Sequence, residues 1–320
     1  MKALIIDKIS PVIENGLRKF DFLIEKNILP SKKKLIQLLP QFDLLIMRVN
    51  PTIDKEVLDA AKGHIKLICV CATGLNHIDV DYAKQCQIVV QNAPGVNSNA
   101  VVELTFSKML DLSRMTMDAN KEVQEEGIWD KYKYTGHELK GHVLGIIGLG
   151  KIGKGIARLA HAFGMKVLAY DPYIPDDDFS MVEAQKCNCL EELLKDSDYI
   201  TIHTPINNET RGMIGENQFK LMKKTAYLIN CARGGIIDEN VAAEYLKSGK
   251  IAGIGVDVIK DELARKELKT QNPLNSPFFK LNHCIVSPHI AGSTYEGLDA
   301  IGVYILNKIL KFYNLKVDKE

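Results

Sequence analysis

The run Gly148-Leu-Gly150-Lys-Ile-Gly153 constrains this 320-residue chain more than any other feature. The apolar stretch His142-Val-Leu-Gly-Ile-Ile-Gly148 ahead of it reads as a buried strand. Behind it a helical pattern recurs at Ile152, Ile156, Leu159, Ala160 and Phe163. A second strand, Met165-Lys-Val-Leu-Ala-Tyr170, ends at Asp171, 18 residues past the last glycine. This is a βαβ unit with G-x-G-x-x-G at its first turn. Gly148 permits the tight turn, Gly150 lets backbone N–H groups approach a pyrophosphate, and Gly153 lets helix and strand pack closely. The N-terminus of the helix, with its unpaired N–H groups, supplies the anion site. The unit is expected to hold a dinucleotide.

Asp171 bears on which one. A carboxylate at the end of the second strand accepts hydrogen bonds from both ribose hydroxyls of NAD and repels the 2′-phosphate of NADP. Two unit charges at about 4 Å and an effective dielectric near 20 cost on the order of 4 kcal/mol. NAD is therefore the expected cofactor.

Length allows two domains with separate cores. Basic and acidic residues nearly balance, 41 against 40, so no basic excess argues for a nucleic-acid partner. No apolar stretch approaches the roughly 18 residues needed to span a membrane. Met1-Lys-Ala-Leu-Ile-Ile-Asp7 reads as a first strand and is too short and too soon acidic for a signal peptide. The seven cysteines form no C-x-x-C pair, and they read as reduced thiols of a cytoplasmic protein with no metal site.

Two α/β patterns run along the chain. In the first, strands are expected at 3–6, 44–49, 67–70 and 88–91, with helices between them, including 32–39 and 55–61. This suggests a small flavodoxin-like parallel sheet. A long helix is expected at about 98–113, followed by a polar stretch that contains Trp129. In the second pattern, strands are expected at 143–147, 167–170, 199–203, 227–230, 253–256 and 284–287, with a final helix at about 295–313. The charged stretch 260–269 reads as a surface excursion with partial helix. An open parallel sheet binds its ligand beyond the carboxyl ends of its strands. The polar groups there are Thr204-Pro205, Cys231-Ala-Arg233-Gly-Gly235, Asp257 to Glu262, and Pro288-His289.

Arg233, Glu262 and His289 suit one reaction. A 2-oxo acid needs its carboxylate anchored and its carbonyl polarised, and it needs a proton on oxygen while hydride reaches carbon. The planar fork of Arg233 holds a carboxylate through two hydrogen bonds. His289 is the candidate to supply the proton, a role histidine often takes. A neighbouring carboxylate stabilises the imidazolium.

At this point the chain resembles the D-isomer-specific 2-hydroxyacid dehydrogenases, the family of D-3-phosphoglycerate, D-glycerate and D-lactate dehydrogenases. The resemblance covers nearly the whole chain. It rests on Ala72-Thr-Gly74 with Asn76-His-Ile-Asp79, Gly95-Val-Asn-Ser98 with Val102-Glu103, and Leu139-Lys-Gly-His142 leading into the glycine fingerprint. Further matches are His203-Thr-Pro205 with Thr210, Asn230-Cys-Ala-Arg-Gly-Gly-Ile-Ile-Asp-Glu239, Gly255-Val-Asp-Val258 and Ser287-Pro-His-Ile-Ala-Gly292.

The resemblance implies roles. Arg233 would bind the substrate carboxylate and polarise the carbonyl, and Glu262 would pair with His289, the acid in reduction and the base in oxidation. Lys151 and Ile152 would lie along the pyrophosphate, Asp171 on the adenine ribose, and Thr204, Cys231 and Asp257 along the adenine and nicotinamide region. Backbone N–H groups around Val70, Thr73 and Gly74 would complete the carboxylate site. The fold would be two doubly wound parallel-sheet domains. A Rossmann NAD-binding domain at 98–287 would be inserted in a flavodoxin-like substrate domain made of 1–97 and 288–320. A dimer arm at about 115–140 would make a homodimer, and the cleft between domains would close on its ligands.

The chain departs from the family pattern at Leu263, where proline usually follows the catalytic glutamate, so Asp261 competes with Glu262 for the pairing with His289. Glutamate at 262 disfavours formate dehydrogenase, which has glutamine there. Corepressors of this fold that sense NAD(H) keep the catalytic trio, but the absence of disordered extensions disfavours that role. Arg48 stands where phosphoglycerate enzymes carry a phosphate-binding arginine, and Val70 where many carry a second. D-3-phosphoglycerate is the leading expected substrate, with glycerate/hydroxypyruvate or glyoxylate as the alternative. With about 30 residues after His289, the regulatory C-terminal domain of the serine-feedback enzymes is not expected.

Overall fold

The structure, a computed structural model, describes residues 1–260, 262 and 275–315. Two compact units emerge. The first comprises Met1–Asn97 and the chain from Ser293 onward; the second begins at Ser98 and ends at Gly292. The sequence reading ends the second domain at 287, whereas Pro288 to Gly292 group with the second unit. The reason is local: the carboxylate of Asp257 accepts hydrogen bonds from the N–H groups of Ile290 (2.9 Å) and Ala291 (2.7 Å), which ties that segment to its own sheet.

The first unit runs β1 (Lys2–Ile5), α1 (Pro11–Arg18), β2 (Leu23–Lys26), α2 (Lys32–Leu38), β3 (Leu44–Met47), α3 (Lys55–Ala61), β4 (Leu67–Val70), α4 (Val80–Gln85) and β5 (Val89–Asn92), and it recruits the last helix, α12 (Tyr295–Phe312). The strands form a parallel sheet in the order β2-β1-β3-β4-β5, the flavodoxin-like order. Leu44, Leu45, Ile46 and Met47 of β3 and all four residues of β4 are buried, because helices cover both faces of a parallel sheet. Side chains of α1 and α12 pack on one face with Ala3, Ile5, Leu67 and Cys69, and those of α2 and α3 on the other with Leu4, Leu45 and Ile68.

The second unit runs α5 (Ser98–Arg114), α6 (Thr116–Glu126), β6 (Val143–Ile147), α7 (Lys151–Ala162), β7 (Lys166–Tyr170), α8 (Asp176–Ser180), β8 (Gln185–Lys186), α9 (Leu190–Asp196), β9 (Tyr199–Ile202), α10 (Glu216–Phe219), β10 (Tyr227–Asn230), α11 (Glu239–Lys247), β11 (Gly253–Val256) and β12 (Cys284–Val286). Its seven strands are parallel in the order β12-β11-β10-β9-β6-β7-β8. Winding reverses between β6 and β9, so a crevice opens beyond their carboxyl ends, where doubly wound sheets bind ligands. Helix α7 buries Gly153, Ile156, Ala157 and Ala160, a single stripe at helical spacing.

Four elements escape the sequence reading. Strand β2 is an edge strand with Leu23 65% exposed, so it lacks the apolar run of a central strand. Strand β8 has two residues. Helix α1 begins at Pro11 behind a Ser10 cap, and α6, inside the polar stretch, buries no residue at all. The expected excursion at 260–269 lies, apart from Lys260 and Glu262, outside the described residues. Among the described residues no helix is long and apolar enough to cross a membrane.

Candidate active site

The glycine fingerprint sits at the switch point of the second sheet. Gly148 has φ +93°, a conformation L side chains rarely adopt, and its N–H donates to the carbonyl of Tyr170 on β7 (2.9 Å). A Cβ on Gly153 would lie 2.2 Å from the carbonyl oxygen of Gly148, so only glycine lets α7 start this close to the turn. Gly150 differs: a Cβ there would meet nothing within 4 Å. The space is open on the ligand side.

The surroundings fit a dinucleotide. Gly150 caps α7 and has no side chain to accept from the first N–H groups of this twelve-residue helix. Lys151 and Ile152 open that helix. Across the switch point, Thr204 Oγ1 and His203 Nδ1 are shielded from water without a protein partner among the described residues. The Thr204 methyl would stand 2.9 Å from a Cβ on Gly148. Desolvation pushes the His203 pKa down to about 3, so its ring is neutral at working pH. Orphaned polar atoms beside an open cradle are what a bound polar group would satisfy.

Asp171 ends β7 half-buried. Its Oδ2 accepts from the N–H of Leu149, inside the fingerprint, at 2.9 Å, and its Oδ1 from Tyr173 N–H at 3.0 Å. The carboxylate is thus fixed against the glycine turn by two backbone donors.

Three strand ends bring the catalytic candidates together. After β10, the buried amide of Asn230 clamps the turn: its Oδ1 accepts from Ala232 N–H (2.9 Å) and its Nδ2 donates to the Arg233 carbonyl (2.9 Å). A Cβ on Gly234 would stand 2.0 Å from the Ile259 carbonyl oxygen, so this turn packs directly on the chain after β11. The guanidinium of Arg233 donates to the Ala232 carbonyl (2.7 Å). Burial pulls its pKa down and the nearby Glu262 carboxylate opposes that; an arginine stays charged in either case. Cys231 is buried beside it, and burial pushes its thiol up to about 11, so it stays an unreactive thiol.

Glu262 Oε1 lies 2.7 Å from Nδ1 of His289, and its Oε2 accepts from Ile259 N–H at 3.4 Å. Of the two acids that compete in the sequence, Glu262 is the one seen on the histidine; Asp261 and Leu263 lie outside the described residues. His289 itself has φ +54°, and its N–H donates to the carbonyls of Asp257 (2.8 Å) and Ser287 (3.0 Å). Such strain in a non-glycine residue persists only where the surroundings fix it. Here Asp257 does so. It is 1% exposed, and it accepts from Ser287 Oγ and from the N–H groups of Ile290 and Ala291. The sequence reading places Asp257 along the cofactor; the structure occupies its carboxylate with the histidine loop. Neither that task nor the Asn230 clamp shows in residue spacing, because both end mainly on backbone groups.

The remaining candidates belong to the first unit. Arg48 follows β3. Its backbone N–H and that of Val49 donate to Asp7 Oδ2 (3.2 and 3.0 Å), and its guanidinium donates to Ser293 Oγ (2.7 Å). Thr73 and Gly74 follow β4, with the Thr73 carbonyl held by Asn92 Nδ2 at 2.6 Å. The Val70 side chain is fully buried in the core, because β4 is covered on both faces, so this residue has only its main chain to offer.

Comparison with known proteins follows the geometry. Residues 106–291 match the model of the D-isomer specific 2-hydroxyacid dehydrogenase NAD binding domain. The chain is 35% identical over 313 residues to a D-3-phosphoglycerate dehydrogenase of Methanocaldococcus jannaschii, covering 97% of this chain but 57% of that protein. It thus spans little more than half the length of that relative. It is 35% identical over 281 residues to a hydroxypyruvate reductase of Thermotoga maritima, with 88% of each chain covered. A D-lactate dehydrogenase of Aquifex aeolicus, solved with NAD and lactic acid, superposes with a TM-score of 0.83 at 29% identity over 98% of this chain and 95% of that one. The chain belongs to the D-isomer specific 2-hydroxyacid dehydrogenase family, and its second unit carries that family's NAD-binding domain.

Proposed function

We propose that this protein transfers hydride between NAD(H) and a small D-2-hydroxy acid or its 2-oxo acid, with D-3-phosphoglycerate/phosphohydroxypyruvate as the leading pair. The observation that carries this reading is the Glu262–His289 pair at 2.7 Å with Arg233 on the adjoining strand end. NAD, when bound, supplies or accepts the hydride. Arg233 holds the substrate carboxylate and draws electron density from the carbonyl. Glu262 fixes Nδ1 of His289 as the protonated nitrogen. That leaves Nε2 to give a proton to the substrate oxygen in reduction and to take it back in oxidation. Asp257 and Asn230 place His289 and Arg233 without touching substrate.

The orphaned Thr204 and the open side of Gly150 would receive the dinucleotide, and Asp171 its adenine ribose. Arg48, held by Ser293 from its guanidinium end and by Asp7 from its backbone, is the cation we assign to a distal phosphate. The hydroxypyruvate reductase relative, matched along most of both chains, supports glycerate/hydroxypyruvate as the second reading. A homodimer through the arm at 115–140 is supported by Trp129 and Tyr132, 86% and 79% exposed there.

The test is NADH oxidation by purified protein with phosphohydroxypyruvate, hydroxypyruvate, glyoxylate and pyruvate in parallel. A kcat/KM for phosphohydroxypyruvate about a hundredfold above hydroxypyruvate, roughly 2.7 kcal/mol of transition-state discrimination, establishes the phosphate site and places the enzyme in serine biosynthesis. Preference for hydroxypyruvate or glyoxylate establishes the second reading, and no turnover with any of them removes both.

A further inference from the structure

The sheet order sets β6 between β7 and β9. The loops that follow β7 and β9 therefore flank the glycine fingerprint from opposite sides. One side-chain hydrogen bond joins them: the hydroxyl of Tyr173, after β7, donates to Oε2 of Glu209, after β9. Each end of this bridge is anchored. The N–H of Tyr173 donates to Asp171 Oδ1 at 3.0 Å. The N–H groups of Glu209 and Thr210 both donate to Asn207 Oδ1 at 2.9 Å, and Thr210 Oγ1 donates to the Pro205 carbonyl at 2.6 Å.

Packing does not explain the bridge. Tyr173 is 74% exposed and Glu209 is exposed as well, and a surface contact of this kind adds little to stability. What distinguishes it is its place. It crosses the crevice that a doubly wound sheet offers to a dinucleotide, and it ends on a carboxylate across from Asp171. Two lysines of the segments around β7 are engaged with other acids: Lys154 pairs with Asp178 at 2.7 Å and Lys186 with Asp176 at 2.5 Å. The Glu209 carboxylate pushes the Tyr173 phenol above its ordinary pKa, so the donor keeps its proton.

We propose that Glu209, tethered by Tyr173, is a second determinant of cofactor choice, adding its charge to that of Asp171 against a 2′-phosphate on the adenine ribose. This rests on the assignment of Asp171 to that ribose. A carboxylate at the solvent-exposed rim acts through a high dielectric and is screened by salt, so its share is about three- to tenfold and smaller than that of Asp171.

The test is titration calorimetry of ADP-ribose and 2′-phospho-ADP-ribose, which needs no turnover, on the wild type and on Glu209→Gln, Tyr173→Phe and Asp171→Ala. Glutamine still accepts from the phenol, so it removes charge without breaking the bridge. Glu209→Gln is expected to tighten 2′-phospho-ADP-ribose about three- to tenfold, leave ADP-ribose within about twofold, and lose most of the gain in about 0.5 M salt. Tyr173→Phe keeps the charge but frees it, and is expected to give a smaller gain. The positions are exposed, and an unchanged Tm verifies that the variants fold. If Asp171→Ala tightens the phosphorylated ligand while Glu209→Gln moves both ligands alike or neither, the role of Glu209 is overturned and that of Asp171 stands. If neither variant changes discrimination, both assignments fall.

Discussion

Glu262 Oε1 and His289 Nδ1 stand 2.7 Å apart, on a histidine whose backbone is held in the left-handed region by the carbonyls of Asp257 and Ser287. The side chain is oriented by one carboxylate and its loop by another. These two contributions are separable. Glu262→Gln keeps an acceptor for Nδ1–H but removes the carboxylate charge beside the ring. We expect kcat to fall about 10–100-fold, against about 10²–10⁴-fold for His289→Ala, with NADH affinity by fluorescence unchanged in both. Wild-type turnover in His289→Ala would remove the histidine from the mechanism.

Asp257 acts through the loop alone. In Asp257→Asn an amide NH₂ replaces an oxygen that faces backbone N–H donors, leaving a buried donor unsatisfied at a cost of about 1–3 kcal/mol. The expected result is a Tm lowered by roughly 2–10 °C and a loss of kcat with little change in NADH affinity. Full activity at a lowered Tm would show that the loop is held for stability only.

The fingerprint glycines give a contrast. Gly153→Ala sets a Cβ 2.2 Å from a backbone oxygen and is expected to destabilise the unit, seen as a lowered Tm. Gly150 has φ −69°, which alanine adopts freely, and open space where the Cβ would go. Gly150→Ala should therefore fold with an unchanged Tm and yet weaken NADH by about tenfold or more, because the methyl fills the space a pyrophosphate needs. Unchanged NADH affinity would place the pyrophosphate elsewhere.

The parts legible in the sequence share a physical cause. The central strands of both sheets are buried on two faces and appear as apolar runs, and Gly148 and Gly153 are glycines because sterics leave no alternative. Edge elements give no such signal: Leu23 of β2 and the whole of α6 bury too little to pattern the chain. Arg233, Glu262 and His289 were legible because charged groups at strand ends are unusual. Asn230 and Asp257 are not legible as supports, since side chains that serve mainly backbone groups give little partner residue type to recognise.

Acid sensitivity follows from a staple at the base of the second sheet. Asp198 accepts from Val143 N–H (2.9 Å) and pairs with Lys223 (2.8 Å), joining the starts of β6 and β9 to the turn before β10. Desolvation pushes the carboxyl up, but Lys223 and the Val143 N–H outweigh it and hold it below its usual value. A depressed folded pKa gives stability that is present above the unfolded pKa, near about 4, and lost as pH falls through the folded one. Asp198→Asn should cost roughly 1–3 kcal/mol at pH 7 by denaturant unfolding. The gap between variant and wild type should close in acid; a gap independent of pH would mean that the charge is not what holds the staple.

The proposed preference for a phosphorylated substrate is tested at Arg48 and its tether to Ser293 (2.7 Å). If Arg48 receives a distal phosphate, Arg48→Gln removes a charge-assisted pair worth several kcal/mol when shielded from water, while a substrate without phosphate loses nothing. The expected outcome is a fall of about 10²-fold or more in kcat/KM for phosphohydroxypyruvate and a change within about threefold for hydroxypyruvate. Ser293→Ala leaves the charge but frees the guanidinium to rotate. It should raise KM for the phosphorylated substrate by about three- to tenfold, since only the ordering of one long side chain is lost. Ser293→Thr, which keeps the hydroxyl, should restore it. Equal losses on both substrates would show that Arg48 and Ser293 support the fold of the first unit rather than read the substrate.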